Sequence, residues 1–188
     1  MATVMRRGSN VALTREIPGL TGLVVGVHWQ VGVETALADN LVMATILCDA
    51  DSKAISDDHF VFFNQLADPD MSVSQLARAV GGDAEQVEIH FAAVPAEVSR
   101  IVVVLYVNEG AGLRRDLGRL REIGVRALDP ADNGELVRSE NLAGALGAET
   151  AMSLCEVYRH NGGWKFKVIG EGYTTGIISL AKDYGVAL

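Results

Sequence analysis

Acidic side chains occur in pairs at several points along the chain, and these carboxylates are the residues best placed to do chemistry. Carboxylates in loops supply the oxygen ligands that calcium takes, roughly six to eight of them in flexible geometry. Two carboxyls at a suitable separation also serve as an acid and a base. One pair alone is an ordinary solvated turn, so a site requires several pairs to converge. The pairs are Asp49 and Asp51, Asp57 and Asp58, Asp68 and Asp70, and Asp83 and Glu85.

The sequence motifs of common enzyme classes are missing from the chain. It has neither the G-x-S-x-G nucleophile elbow nor a P-loop. No two of its histidines have the spacing of a helical metal site, and no cysteine accompanies them in a zinc pattern. We therefore predict no catalytic residues and no enzyme. The alternative is a small-ligand binder or an enzyme with a pocket at one end of the fold, where His28 and His59 would converge.

The elements that must position these residues are mostly strands. Apolar residues alternate with polar ones over Leu23–Trp29 and Trp164–Val168, which is typical of half-solvated strands. Continuous apolar runs over 41–48 and 101–107 favour central strands covered on both faces. His160–Gly163 predicts a hairpin turn. Further strands are expected at 60–63, 125–128, 136–139 and 151–159. The pattern predicts a mainly β fold, a two-sheet antiparallel β-sandwich.

Helical spacing is confined to two segments. Val73, Leu76, Ala77 and Val80 fall on one helical face, with Ser72 as a candidate N-cap, so a short helix is predicted near 73–80. Apolar residues from Ile177 to Tyr184 predict a C-terminal helix that ends before Gly185. With no repeat and no linker composition, residues 1–188 are predicted to form a single domain.

The charge balance, the cysteine content and the length of the apolar runs limit which partners and which cellular compartment are expected. The 16 Lys and Arg against 24 Asp and Glu give a formal net charge of -8, which disfavours nucleic acid and anionic membranes as partners because both bind clustered positive charge. Cys48 and Cys155 lie in apolar stretches and are interpreted as reduced, buried thiols. The apolar run 101–107 is far shorter than the ~20 residues of a membrane helix. We expect a cytoplasmic protein without direct membrane insertion.

Several segments, in order along nearly the whole chain, resemble the TerD family of tellurium-resistance and stress-response proteins. The resemblance begins with Arg7-Gly-Ser-Asn-Val-Ala-Leu-Thr14 and continues through Val25-Gly-Val-His-Trp29 and Asp57-Asp-His-Phe-Val-Phe-Phe-Asn64. It is closest in the tail, which contains Glu156-Val-Tyr-Arg159, Gly163-Trp-Lys-Phe166, Gly170-Glu-Gly-Tyr173 and Asp183-Tyr-Gly-Val186. The resemblance implies a β-sandwich that binds calcium through acidic loops and has no established catalytic activity.

The acidic positions of the family pattern are only partly kept. The family's Trp-Asp is Trp29-Gln30 here, and its Asp-x-Asp-Leu-Asp falls on 38–42, where all three aligned aspartates are replaced. Its Gly-Asp-Asp-Glu becomes Gly82-Asp-Ala-Glu85. The residual calcium-ligand positions that the resemblance implies are Asn40, Asn64, Asp83 and Glu85. Because calcium affinity depends on the number of charged ligands, this loss predicts weakened or lost sites.

The resemblance, combined with the missing acidic residues, implies a non-enzymatic binding or scaffold protein of the tellurium-resistance and general stress-response type. Its expected partners are other proteins, including stress-response partners of the family type. The alternative is a functional calcium-binding module of the TerD type, with Asp39 or Asp49 and backbone carbonyls completing the ligand set. Calcium is the one cofactor that the resemblance implies.

Overall fold

The computed structural model describes residues 3–108 and 115–188. Its strands form where the sequence alternates or is continuously apolar, because both patterns suit the pleated strand in a sandwich core. In chain order they are β1 (Thr3–Met5), β2 (Asn10–Val11), β3 (Gly22–Gln30), β4 (Leu41–Cys48), β5 (Phe60–Val61), β6 (Val73–Gln75), β7 (Glu85–His90), β8 (Arg100–Val107), β9 (Glu122–Leu128), β10 (Glu135–Ser139), β11 (Ala151–His160) and β12 (Gly163–Tyr173).

The strands form two six-stranded sheets, which confirms the predicted sandwich. The first sheet has the order β1-β10-β9-β3-β7-β6, and the second has the order β2-β12-β11-β8-β4-β5. Only the β1–β10 pair is parallel among the described strand pairs, with Thr3 opposite Val137. Strands β1 and β2 each edge a different sheet, so residues 3–11 pass from one sheet to the other. We call this segment the N-terminal clasp.

Helical structure is short. It comprises α1 (Leu13–Glu16), α2 (Thr35–Ala38) and α3 (Gly176–Asp183), with 3-10 turns at Asp57–His59, Phe91–Ala93, Leu117–Arg119 and Ala143–Ala145. Helix α3 is the predicted C-terminal helix. It ends in a Schellman motif, in which the Val186 N–H donates to the Ala181 carbonyl at 2.8 Å while Gly185 takes a φ of 73°. No helix in the described ranges is both long and apolar enough to cross a membrane.

The short helix predicted near 73–80 is wrong. Val73–Gln75 form strand β6, in which Val73 pairs with Ile89 of β7. Ser72, the expected N-cap, instead donates its hydroxyl to Asp68 at 2.8 Å, and the other Asp68 oxygen accepts the Val73 N–H at 2.8 Å. The turn that Asp68 stabilises thus delivers Val73 to the sheet, and pairing with β7 overrides the helical spacing.

Two hydrophobic clusters enclose the second sheet, as expected for its continuously apolar strands. The larger cluster lies between the sheets and includes Val25 of β3, Leu105 of β8 and Phe166 of β12. The smaller cluster covers the outer face of the second sheet, where Val104 of β8 packs with Leu180 of α3. Cys48 and Cys155 are buried and unpaired. Burial raises the pKa of the Cys48 thiol to about 12, with a smaller contribution from the Asp49 charge.

Candidate functional site

Asp83 lies just before β7, and its carboxylate sits against the outer face of the first sheet. Both oxygens accept from Arg126 Nε on β9, at 2.9 and 3.0 Å, and Oδ2 also accepts from Gln86 Nε2 at 2.6 Å. The side chain is 2 % exposed. Gly26 of β3 lies beneath it, and a Cβ there would collide with the carboxylate. A cation at Asp83 would therefore have to displace the guanidinium of Arg126.

Arg126 connects Asp83 to further charges on β10. Its Nη1 donates to Glu135 at 3.3 Å, and Glu135 also accepts from Arg138 at 2.6 Å. The hydrogen bond from Arg138 is the main reason that the pKa of Glu135 lies below its usual range. Two carboxylates and two guanidinium groups thus form one electrically balanced group. We call these four residues, Asp83, Arg126, Glu135 and Arg138, the Arg126 network.

Glu85 begins β7 and faces the other sheet. Its Oε2 accepts the backbone N–H of Met43 on β4 at 2.8 Å, beyond the point where the two-residue strand β5 pairs with β4. The carboxylate therefore satisfies a backbone donor at a sheet edge and joins the two sheets. Burial raises the pKa of Glu85 despite this bond. Burial, followed by the charge of Glu85, also raises the pKa of Tyr106 to about 12.

Asn40 and Asn64 lie on separate turns. Asn40 follows α2 and donates its amide to the Ala36 carbonyl at 2.8 Å. Asn64 is exposed in the turn after β5, where Phe62 and Gln65 exchange backbone hydrogen bonds of 2.9 and 3.0 Å. Asp49, a supplementary candidate, accepts the backbone N–H groups of Asp51 and Lys53 within its own turn.

In this arrangement, the four residual calcium-ligand positions do not form a calcium coordination shell. Asp83 is paired with Arg126, one Glu85 oxygen holds a backbone donor, and the two asparagines lie on different turns. Within residues 3–108 and 115–188, no group of three or more His, Cys, Asp or Glu is arranged to hold a metal ion. Their assignment as residual calcium ligands stays a prediction, and it requires Asp83 to leave Arg126.

The histidines of the alternative site have separate partners. His28 of β3 bonds Glu122 at 3.0 Å in the first sheet, whereas His59 precedes β5 of the second sheet and bonds the Ser56 hydroxyl at 2.8 Å.

Sequence reasoning missed Arg126 altogether. The available signal was an arginine inside the apolar run 125–128, in the strand phase that points away from the core.

Comparison with known proteins gives one family over the whole length of the chain. The TerD domain matches residues 1–184. General stress protein 16U of Bacillus subtilis (strain 168) is 36% identical over 191 residues, covering 99% of this chain and 98% of that protein. Tellurium resistance protein TerD of Serratia marcescens is 30% identical over 190 residues, covering 99% and 98%.

A solved structure shares the fold. The crystal structure of a homologue of telluride resistance protein (TerD) from Streptomyces coelicolor A3(2) superposes with a TM-score of 0.65 at 18% identity, covering 87% of this chain and 96% of that one. The fold and the full-length sequence matches agree. The chain belongs to the TerD domain family, as the sequence resemblance predicted.

Proposed function

We propose that this protein is a non-enzymatic binding or scaffold protein of the tellurium-resistance and general stress-response type, with calcium sites weakened or lost. The full-length similarity to a general stress protein and to a tellurium resistance protein supports the biological role. We place the protein in the cytoplasm with other proteins as partners.

The ion pair between Asp83 and Arg126 carries the calcium part of this proposal. A guanidinium 2.9 Å from a carboxylate that is 2 % exposed already neutralises the charge that would attract a metal ion. Because Arg126 supplies the counter-charge, the apo fold needs no external cation at this position. Displacing the guanidinium would remove one charge of a buried pair, which costs about 3–5 kcal/mol. Calcium binding through Asp83 would have to offset that cost.

A thermal melt of metal-stripped protein tests this proposal. We expect the same Tm in EDTA and in millimolar calcium, with magnesium at equal concentration as the control for divalent charge. A ligand of the native state raises Tm by mass action. A calcium-specific rise of several degrees, with stoichiometric uptake by calorimetric titration, would overturn the loss of the sites and favour the functional calcium-binding module.

Three exposed apolar side chains support the binding of protein partners. Phe63, Leu66 and Met71 lie between β5 and β6 and are each more than half exposed. Large exposed apolar side chains in one connecting segment are candidates for an interaction surface. We expect the triple serine variant of these residues to lose complementation of stress survival in a bacterium lacking its own TerD-family gene. Val33→Ser, at an 89% exposed valine elsewhere, is the control. Full complementation by the triple variant would count against this surface.

A further inference from the structure

A cavity of about 390 Å³ lies where α1 meets the tip of the β11–β12 hairpin. Its size falls within the range of roughly 300–1,000 Å³ that small-molecule sites occupy. The lining residues that the argument uses are Thr14 and Arg15 from α1, His160 and Asn161 from the hairpin turn, and Lys165 from β12. None of the four residual calcium-ligand positions lines this cavity.

Close packing fixes the walls of this hairpin pocket. The Thr14 hydroxyl accepts the Trp164 backbone N–H at 2.8 Å, and a Cβ at Gly163 would collide with the same hydroxyl. The Trp164 ring stacks on Phe91 with centroids 5.1 Å apart, and the Arg159 guanidinium lies 4.5 Å from the Trp164 ring centroid. Helix α1 and the hairpin are therefore held in one arrangement, and the lining side chains are presented on a rigid support.

The pocket carries positive charge without a compensating carboxylate. Arg15 and Lys165 line it, and none of its lining residues is Asp or Glu. Arg100, Arg126 and Arg138 all have carboxylate partners, whereas no carboxylate in the described ranges lies within 4.0 Å of the charged nitrogens of Arg15 or Lys165. Although the chain has a net charge of -8, distant charges are screened beyond about 8 Å at physiological ionic strength. Arg15 and Lys165 are therefore the fully charged side chains among the lining residues.

The hairpin turn adds hydrogen-bond donors. Asn161 and Gly162 have φ values of 49° and 77°, as in the two-residue turns that connect tight hairpins. Neither backbone N–H makes a hydrogen bond to another described residue. Thr14, Asn161 and His160 contribute further polar groups around the two cations, and Asn161 Nδ2 lies 3.1 Å from His160 Nε2.

We propose that the hairpin pocket binds a phosphate oxyanion, either free or as the phosphoryl group of a small metabolite. Arg15 supplies the planar fork that matches two phosphate oxygens, and Lys165 supplies a point charge. The turn amides and Asn161 donate to the remaining oxygens. A dianion suits two unpaired cations better than a single carboxylate does. This inference adds a ligand site to the proposed scaffold role and does not depend on it.

Amide NMR spectra of the full chain test the proposal at constant ionic strength, with inorganic phosphate and ribose 5-phosphate as separate probes and sodium chloride as the blank. We expect saturable shifts at Asn161, Gly162 and Gly163. Saturation by inorganic phosphate identifies free phosphate as sufficient, and saturation by ribose 5-phosphate alone identifies a phosphorylated metabolite. Absence of saturable shifts with both probes would overturn the proposal.

Matched charge variants separate the pocket from general electrostatics. Arg15→Gln and Lys165→Gln should each weaken binding about tenfold, the loss of one charge-assisted hydrogen bond. Lys167→Gln removes the same charge two residues along β12, on the same strand face but outside the lining, and should change affinity less than about twofold. Equal weakening by Lys165→Gln and Lys167→Gln would overturn the pocket assignment. Each variant's unperturbed amide spectrum away from the hairpin verifies folding.

Discussion

At the scale of single residues, the Asp83 carboxylate lies over Gly26, between Arg126 and Gln86 on the two strands that flank β3. A buried charge without a partner is costly, whereas a buried pair replaced as a unit is often tolerated. The ion pair also depends on glycine at position 26, because a Cβ there would occupy the space of the Asp83 carboxylate.

Arg126→Met should lower the free energy of unfolding by about 3–5 kcal/mol, because Asp83 would remain buried and unpaired. The double variant Asp83→Asn with Arg126→Met should be less destabilised than the sum of the two single variants, because the unpaired carboxylate is gone. Urea unfolding of the four proteins gives the coupling energy. Simple additivity of the two single effects would show that the pair contributes nothing to stability.

The Glu85→Gln variant should show how the Glu85 carboxyl makes the stability of the folded protein depend on pH. Its raised pKa means that the folded state holds the proton more tightly than the unfolded state. Its contribution to stability is therefore complete below the ordinary Glu value of about 4.3 and is lost as pH rises through the raised pKa. Glutamine keeps an oxygen for the Met43 N–H, so the stability of the variant relative to the native chain should rise across that window.

Denaturant unfolding between pH 4 and pH 8 measures this difference. Glu97→Gln changes a carboxyl that is exposed on the surface and is the matched control. A difference curve for Glu85→Gln that falls with rising pH would contradict the direction of the shift.

At the scale of elements, α3 covers the outer face of the second sheet and completes the smaller core cluster. Leu180 is fully buried there, whereas Ile178, two residues earlier in the same helix, is 70% exposed. Leu180→Ala should cost about 2–5 kcal/mol of unfolding free energy. Ile178→Ala should stay within about 0.5 kcal/mol. Equal losses for the two variants in chemical denaturation would show that the helix face is misassigned.

Strands whose apolar pattern follows from the burial of their faces could be predicted from the sequence. Strands that form only because they pair with a distant segment could not. Strands β4 and β8 read as continuous apolar runs because both of their faces are covered. The segment 73–80 has helical spacing, and only its pairing with β7 reveals the strand. A register shift between Ser153 and Cys155 lets Leu154 and Cys155, adjacent in sequence, both join the larger core. Simple alternation does not encode this bulge.

The candidate site was harder to predict for the same reason. The sequence identifies Asp83 and Glu85 as acidic residues in a loop. It does not show that Arg126, 43 residues away, pairs with Asp83, or that Glu85 reaches Met43 across the sandwich. Likewise, Arg15 and Lys165 belong to one pocket only because α1 packs on the β11–β12 hairpin.

At the scale of the whole molecule, the two cysteines report on opening of the core. Cys48 and Cys155 are buried, and burial raises the pKa of both thiols. Because the thiolate is the reactive form, we expect almost no modification of the native protein by a disulfide reagent at pH 8. Modification should rise in step with unfolding by urea. Rapid labelling of one thiol in the absence of denaturant would indicate local opening of the second sheet.

The N-terminal clasp has a consequence for how the chain is completed during synthesis. Thr3 pairs with Val137, and Val11 pairs with Phe166, so residues 3–11 are synthesised well before the strands with which they pair. Until β10 and β12 are made, β1 and β2 have no strand to pair with, and unpaired strand edges are prone to association. A chain that stops before the β11–β12 hairpin would therefore leave the clasp without its partner in the second sheet, so this hairpin is needed before the clasp can join the two sheets.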